Sequence, residues 1–81
     1  MTITVQVRYY AILREQRGVS GEKVATGAAT IRALYEELRA RHRFGLEPDR
    51  VRAAVNDAFV SPDAPLHDGD EVVFIPPVAG G

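Results

Sequence analysis

Near the end of the chain, Glu71-Val72-Val73-Phe74-Ile75 is almost continuously apolar. Such a run must be covered on one face and partly on the other, which predicts a strand in the middle of a sheet, entered from the turn residues His67-Asp68-Gly69-Asp70. The strongest helical pattern available to cover it is Ile31, Leu34, Tyr35 and Leu38, which share one face of a helix over residues 30–43. Thr30 is placed to cap that helix, Arg39, Arg41, His42 and Arg43 suit its negative end, and Gly45 offers a left-handed stop. A central strand crossed by one long helix therefore organises the reading of every other segment.

The remaining segments fit around this pair. Ile3, Val5, Val7 and Tyr9 alternate with Thr4, Gln6 and Arg8, as in a strand with one face turned inward. Residues 11–17 favour a short helix or turn ending before Gly18, and residues 20–26 favour an exposed edge strand returning beside the first. After a turn through Pro48, Val51, Ala53 and Val55 alternate up to Asn56-Asp57, and Ala58-Phe59-Val60 follows, which predicts a short hairpin. Ser61-Pro62-Asp63-Ala64-Pro65 breaks the pattern before the final strand. The order strand, strand, helix, strand, strand gives an α+β fold: a mixed sheet crossed by one main helix, the β-grasp arrangement also found in ubiquitin. A chain of 81 residues buries only roughly 60–65% of its unfolded surface and so carries one core. Residues 1–75 are expected to form that domain and residues 76–81 an extended tail.

Composition narrows the chemistry. A net charge of -1 provides no general electrostatic attraction to nucleic acid or to an anionic membrane. Without cysteine, disulfides, thiolate metal sites and a persulfide on this chain are all excluded. No apolar run approaches the roughly 18 residues of a membrane span, and the alternating N-terminus lacks the apolar segment of a signal peptide, so a cytoplasmic protein is expected. His42 and His67 lack a metal-ligand spacing and read as surface residues, while Asp68 and Asp70 read as satisfying backbone donors around Gly69. The cluster of Arg39, Arg41 and Arg43 is explained by helix-end charge and solubility. No nucleophile, base and metal constellation marks an enzyme acting alone.

The residues most open to a functional reading come last: Pro76-Pro77-Val78-Ala79-Gly80-Gly81. Six extended residues reach at most about 20 Å. Two prolines keep the first part extended, and glycines without a Cβ let the final peptide units enter a channel too narrow for side chains. Terminal glycines usually need no such explanation, since chain ends often carry no role. Tyr10, Phe59 and Ile75 are expected on the sheet face opposite the helix, near the departure of the tail, where they offer a docking face for a partner; isolated exposed apolar residues are also ordinary.

Four segments give these features a context. VRYYAILRE at 7–15, TIRALYEEL at 30–38, AAVNDAFV at 53–60 and PLHDGDEVVFIPPVAGG at 65–81 resemble the small subunit of molybdopterin synthase over nearly the whole chain. The thiamine-pathway sulfur carriers share the DGD-type turn and the terminal Gly-Gly, but are usually shorter and lack the Pro-Pro-Val-Ala stem. The resemblance implies a sulfur carrier whose Gly81 carboxylate, next to Gly80, is adenylated by an activating enzyme using ATP and converted to a thiocarboxylate. The tail, Pro76 to Ala79 included, would enter the large synthase subunit, within an expected heterotetramer, and donate sulfur to cyclic pyranopterin monophosphate. A carboxylate needs such activation because it is a poor electrophile with a poor leaving group. The chain has no phosphate loop of its own, Gly18-Val19-Ser20-Gly21 being too short and wrongly placed, so ATP binding falls to the partner and no cofactor is expected on this chain. Carriers for thiamine and ubiquitin-like modifiers joined to lysines are the alternative classes.

Overall fold

The computed structural model describes residues 2–77. Five strands form one sheet in the order β2-β1-β5-β3-β4. These are β1 (Ile3–Tyr9), β2 (Gly21–Thr26), β3 (Arg52–Val55), β4 (Ala58–Val60) and β5 (Glu71–Ile75), with α1 (Ile12–Arg17) and α2 (Ile31–His42) between them. β1 pairs antiparallel with β2 and parallel with β5, while β3 pairs antiparallel with both β5 and β4. The apolar run thus lies at the centre of a mixed sheet, as its composition requires, and β2 and β4 form the edges. With α2 packed across one face, this is the α+β, ubiquitin-like β-grasp fold.

The strand periodicity decides what the helix covers. Val5, Val7 and Tyr9 from β1, Val24 from β2, Ala53 from β3, and Val72 and Phe74 from β5 are buried beneath Ile31, Leu34, Tyr35 and Leu38 of α2. Fully burying a side chain of this kind contributes about 1.5–3 kcal/mol, so a helix with four inward apolar residues is held mainly by packing. Aromatic contacts close one end of the core: Tyr9 meets Phe44 edge-on at 5.6 Å, and Tyr35 meets Phe74 at 5.2 Å. The Tyr35 hydroxyl escapes burial without a partner by donating to the Leu46 carbonyl at 2.9 Å.

Local chemistry sets the element ends. The Thr30 hydroxyl accepts from the Ala33 N–H at 3.1 Å, as expected of a cap. The neighbouring free N–H groups of Ile31 and Arg32 donate to the Ala64 and Pro62 carbonyls at 3.1 and 2.8 Å, so the proline-rich loop closes the helix start from outside. At the other end the expectation fails: Arg43, at φ 59°, takes the left-handed position, not Gly45. Phe44 must reach the core one residue after the cap, which sets the stop before Gly45 is reached. Gly18 does cap α1, at φ 90°, and Asn56 and Asp57 turn the β3–β4 hairpin with φ 51° and 74°.

The approach to β5 is held from two sides. Asp68 was expected to satisfy local donors, but its Oδ1 accepts from the N–H of Thr4 in β1 at 2.8 Å, far away in sequence. Asp70 does act locally, accepting from the His67 N–H at 2.9 Å, and also receives the Asn56 side chain at 3.1 Å. The turn thereby sets the register of β5 between β1 and β3.

Candidate tail root and docking face

The strand registers determine which side chains share the face turned away from α2. Arg8, Val73, Ala54 and Phe59 are consecutive partners across β1, β5, β3 and β4, and Ile75 is the partner of Arg52 in the next row. Phe59 is 69% exposed and Ile75 half-buried, so both stand on the expected face. Tyr10 is one residue past β1 and 51% exposed; because Tyr9 pairs with Phe74, its position follows beside Ile75. Apolar surface from three strands thus collects where β5 ends, on the side that the helix leaves uncovered.

Two features aim this region. Ala11, directly after Tyr10, takes φ 52° and ψ -125°, a conformation that strongly favours glycine. Leu13, fully buried, holds the following helix against the sheet and so maintains that turn. At the end of β5, Pro76 is buried and Pro77 exposed. Gly80 and Gly81, with Val78 and Ala79, lie outside the described residues.

Other parts of the molecule hold different chemistry. His42 is not a surface residue: its Nε2 is buried without a hydrogen-bond partner, 3.5 Å from Glu22. Burial, with Arg17 nearby, lowers its pKa from the ordinary value. The bidentate Arg17 guanidinium holds the Glu22 carboxylate down at about 2, and burial with the Glu22 contact raises Tyr9. This group was not foreseen, since only folding brings residues 9, 17, 22 and 42 together. His67, in contrast, is exposed, as expected. A cleft of about 260 Å³ beside α2 is lined by Ile31, Tyr35 and Phe74 of the core and, towards the sheet edge, by Val60, Phe59 and Arg52, with the Arg32–Asp49 ion pair at 2.8 Å. It presents no nucleophile and base. Among the described residues, no cluster of three His, Asp or Glu side chains is arranged to hold a metal, and no helix is long and apolar enough to cross a membrane.

Comparison with known proteins agrees with this geometry. The model of the ThiS family matches residues 7–81. The molybdopterin synthase sulfur carrier subunit of Escherichia coli is 42% identical over 80 residues, covering 95% of this chain and 99% of that protein. A putative molybdopterin converting factor subunit 1 from Pyrococcus furiosus superimposes with a TM-score of 0.75 at 37% identity, over 94% of this chain and 99% of that one. The complex of subunits 1 and 2 of the molybdopterin-converting factor from Helicobacter pylori contains a chain that matches with a TM-score of 0.64 at 26% identity, covering 98% of this chain and 100% of that one. The chain belongs to the ThiS family, alongside molybdopterin synthase sulfur carrier subunits.

Proposed function

We propose that this chain is the sulfur carrier subunit of a cytoplasmic molybdopterin synthase, working through Gly81. The near full-length kinship with the E. coli carrier is the observation that carries this reading. A carboxylate oxygen of Gly81 attacks the α-phosphorus of ATP on an activating enzyme, and pyrophosphate leaves. Sulfur at the sulfide level then attacks the acyl carbon, and AMP departs with the oxygen, leaving a thiocarboxylate. The large subunit receives the tail, with Gly80 entering its channel, and sulfur passes to cyclic pyranopterin monophosphate. A product with two sulfurs consumes two charged carriers. The absence of cysteine supports placing the sulfur on the terminus.

In this reading Tyr10, Phe59 and Ile75 dock against the large subunit while the segment from Pro76 to Ala79 leads the terminus inward. Incubation with activating enzyme, ATP and a sulfur donor should raise the intact mass by one oxygen-to-sulfur exchange, about 16 Da, localised to Gly81 by fragmentation. No mass change with a demonstrably active enzyme would falsify the carrier reading.

A further inference from the structure

We propose that Arg52 is a specificity-determining contact of the docking face, and that the large subunit covering Phe59 and Ile75 places a carboxylate against it. The inference rests on the docking reading above and adds the charge that the partner must bring.

The register of β3 makes Arg52 the direct partner of Ile75, the last residue of β5. Neighbouring strands are about 4.8 Å apart, so a partner that covers Ile75 and receives the chain beyond Pro77 cannot avoid Arg52. The outward positions of the five strands carry three cations, Arg8, Lys23 and Arg52, against one carboxylate, Glu71. Glu71 is engaged by Arg8 at 3.1 Å, and Lys23 stands on edge strand β2, away from the apolar rows. Arg52 is exposed, and no carboxylate among the described residues lies within 4.0 Å of it. This face is therefore positive although the whole chain has a net charge of -1.

An arginine in that position contributes no ion pair to the described fold. Covering it with apolar surface would strand a desolvated guanidinium, which is expensive, whereas a carboxylate meets its planar fork with two hydrogen bonds. The partner that fits is thus an apolar surface with an acidic side chain opposite Arg52. The pairing sets the register next to the tail root, and it adds steering that weakens with salt.

The test measures binding to the purified large subunit by calorimetry at low and high salt, using full-length Arg52→Leu, Arg52→Glu and Phe59→Asp, with melting curves for each. Arg52→Glu should weaken binding roughly 30-fold or more at low salt, and Arg52→Leu less, with Arg52→Leu losing most of the wild-type salt dependence and Arg52→Glu reversing it, since salt screens the new repulsion. Should Arg52→Glu prove less stable, Arg52→Leu alone decides the matter through its salt dependence. Wild-type affinity and salt dependence in the folded Arg52 variants overturn the proposal. If Phe59→Asp has meanwhile lost binding, the docking face stands without its arginine; if Phe59→Asp also binds normally, the face itself is wrong.

Discussion

At Glu22, one carboxylate receives the Tyr9 hydroxyl at 2.7 Å and two Arg17 nitrogens at 2.9 and 2.7 Å, tying α1 to the first two strands. Both charged side chains are largely shielded from water, so the pair exceeds an ordinary surface ion pair in importance. Its pKa of about 2, below the ordinary 4.5, means that its stabilising contribution is fully present above pH 4.5 and is lost as pH falls towards 2. His42 acts with the same sign: the unfolded chain takes a proton near pH 6.5 that the folded chain resists, so acid also favours unfolding there. Glu22→Gln should lower stability at pH 7 by about 1–2 kcal/mol, and its difference from the wild type should shrink as pH falls from 4.5 towards 2. Chemical denaturation across pH measures this; a pH-independent difference would show that charge is not the cause.

Among the elements, β5 is the central strand, and under the proposed function it is also the strand that leads into the tail. The Thr4–Asp68 and Asn56–Asp70 bonds hold its entry, and Pro76, directly after its last residue, is buried. Deleting Gly80-Gly81 removes nothing from the described core, so the melting temperature should stay within about 2 °C of the wild type while sulfur transfer is abolished. Adding one alanine after Gly81 moves the terminal group by about 3.5 Å and introduces a Cβ, and it should also abolish transfer. Gly80→Ala should reduce transfer less severely, by restricting the backbone while retaining the terminus. Thermal unfolding beside conversion of cyclic pyranopterin monophosphate separates the effects. Full conversion by the deletion or extended variant would rule out a terminal carrier.

For the whole molecule, the single main helix matters as much for what it leaves open as for what it covers. Phe74 and Ile75 are adjacent, yet one is buried beneath α2 and the other belongs to the opposite face. Phe59→Asp should therefore leave folding intact and weaken association with the large subunit at least roughly 30-fold, because a charge is forced into a desolvated contact. Ile75→Asp should act similarly, with more loss of stability because Ile75 is half-buried. Calorimetry with the large subunit and melting curves provide the check: normal binding would exclude this face, and loss of folding would assign the residue to the core.

The amino-acid sequence by itself determined the alternation of β1, the inward stripe of α2, the Asn56-Asp57 hairpin and the central position of β5, because each depends on periodicity or turn chemistry over a few residues. It also marked Phe59 and Ile75 as outward-facing, since alternation assigns faces without knowledge of neighbours. Only the tertiary structure decided that Arg43 and not Gly45 ends α2, that Pro76 is buried, and that Asp68 bonds to Thr4 across the sheet. Likewise, His42, Glu22, Arg17 and Tyr9 form one buried group, and Arg52 stands beside Ile75, through contacts between distant segments. Local patterns specify faces and turns, whereas partners across the sheet and the burial of individual groups emerge only when the strands acquire their order and register.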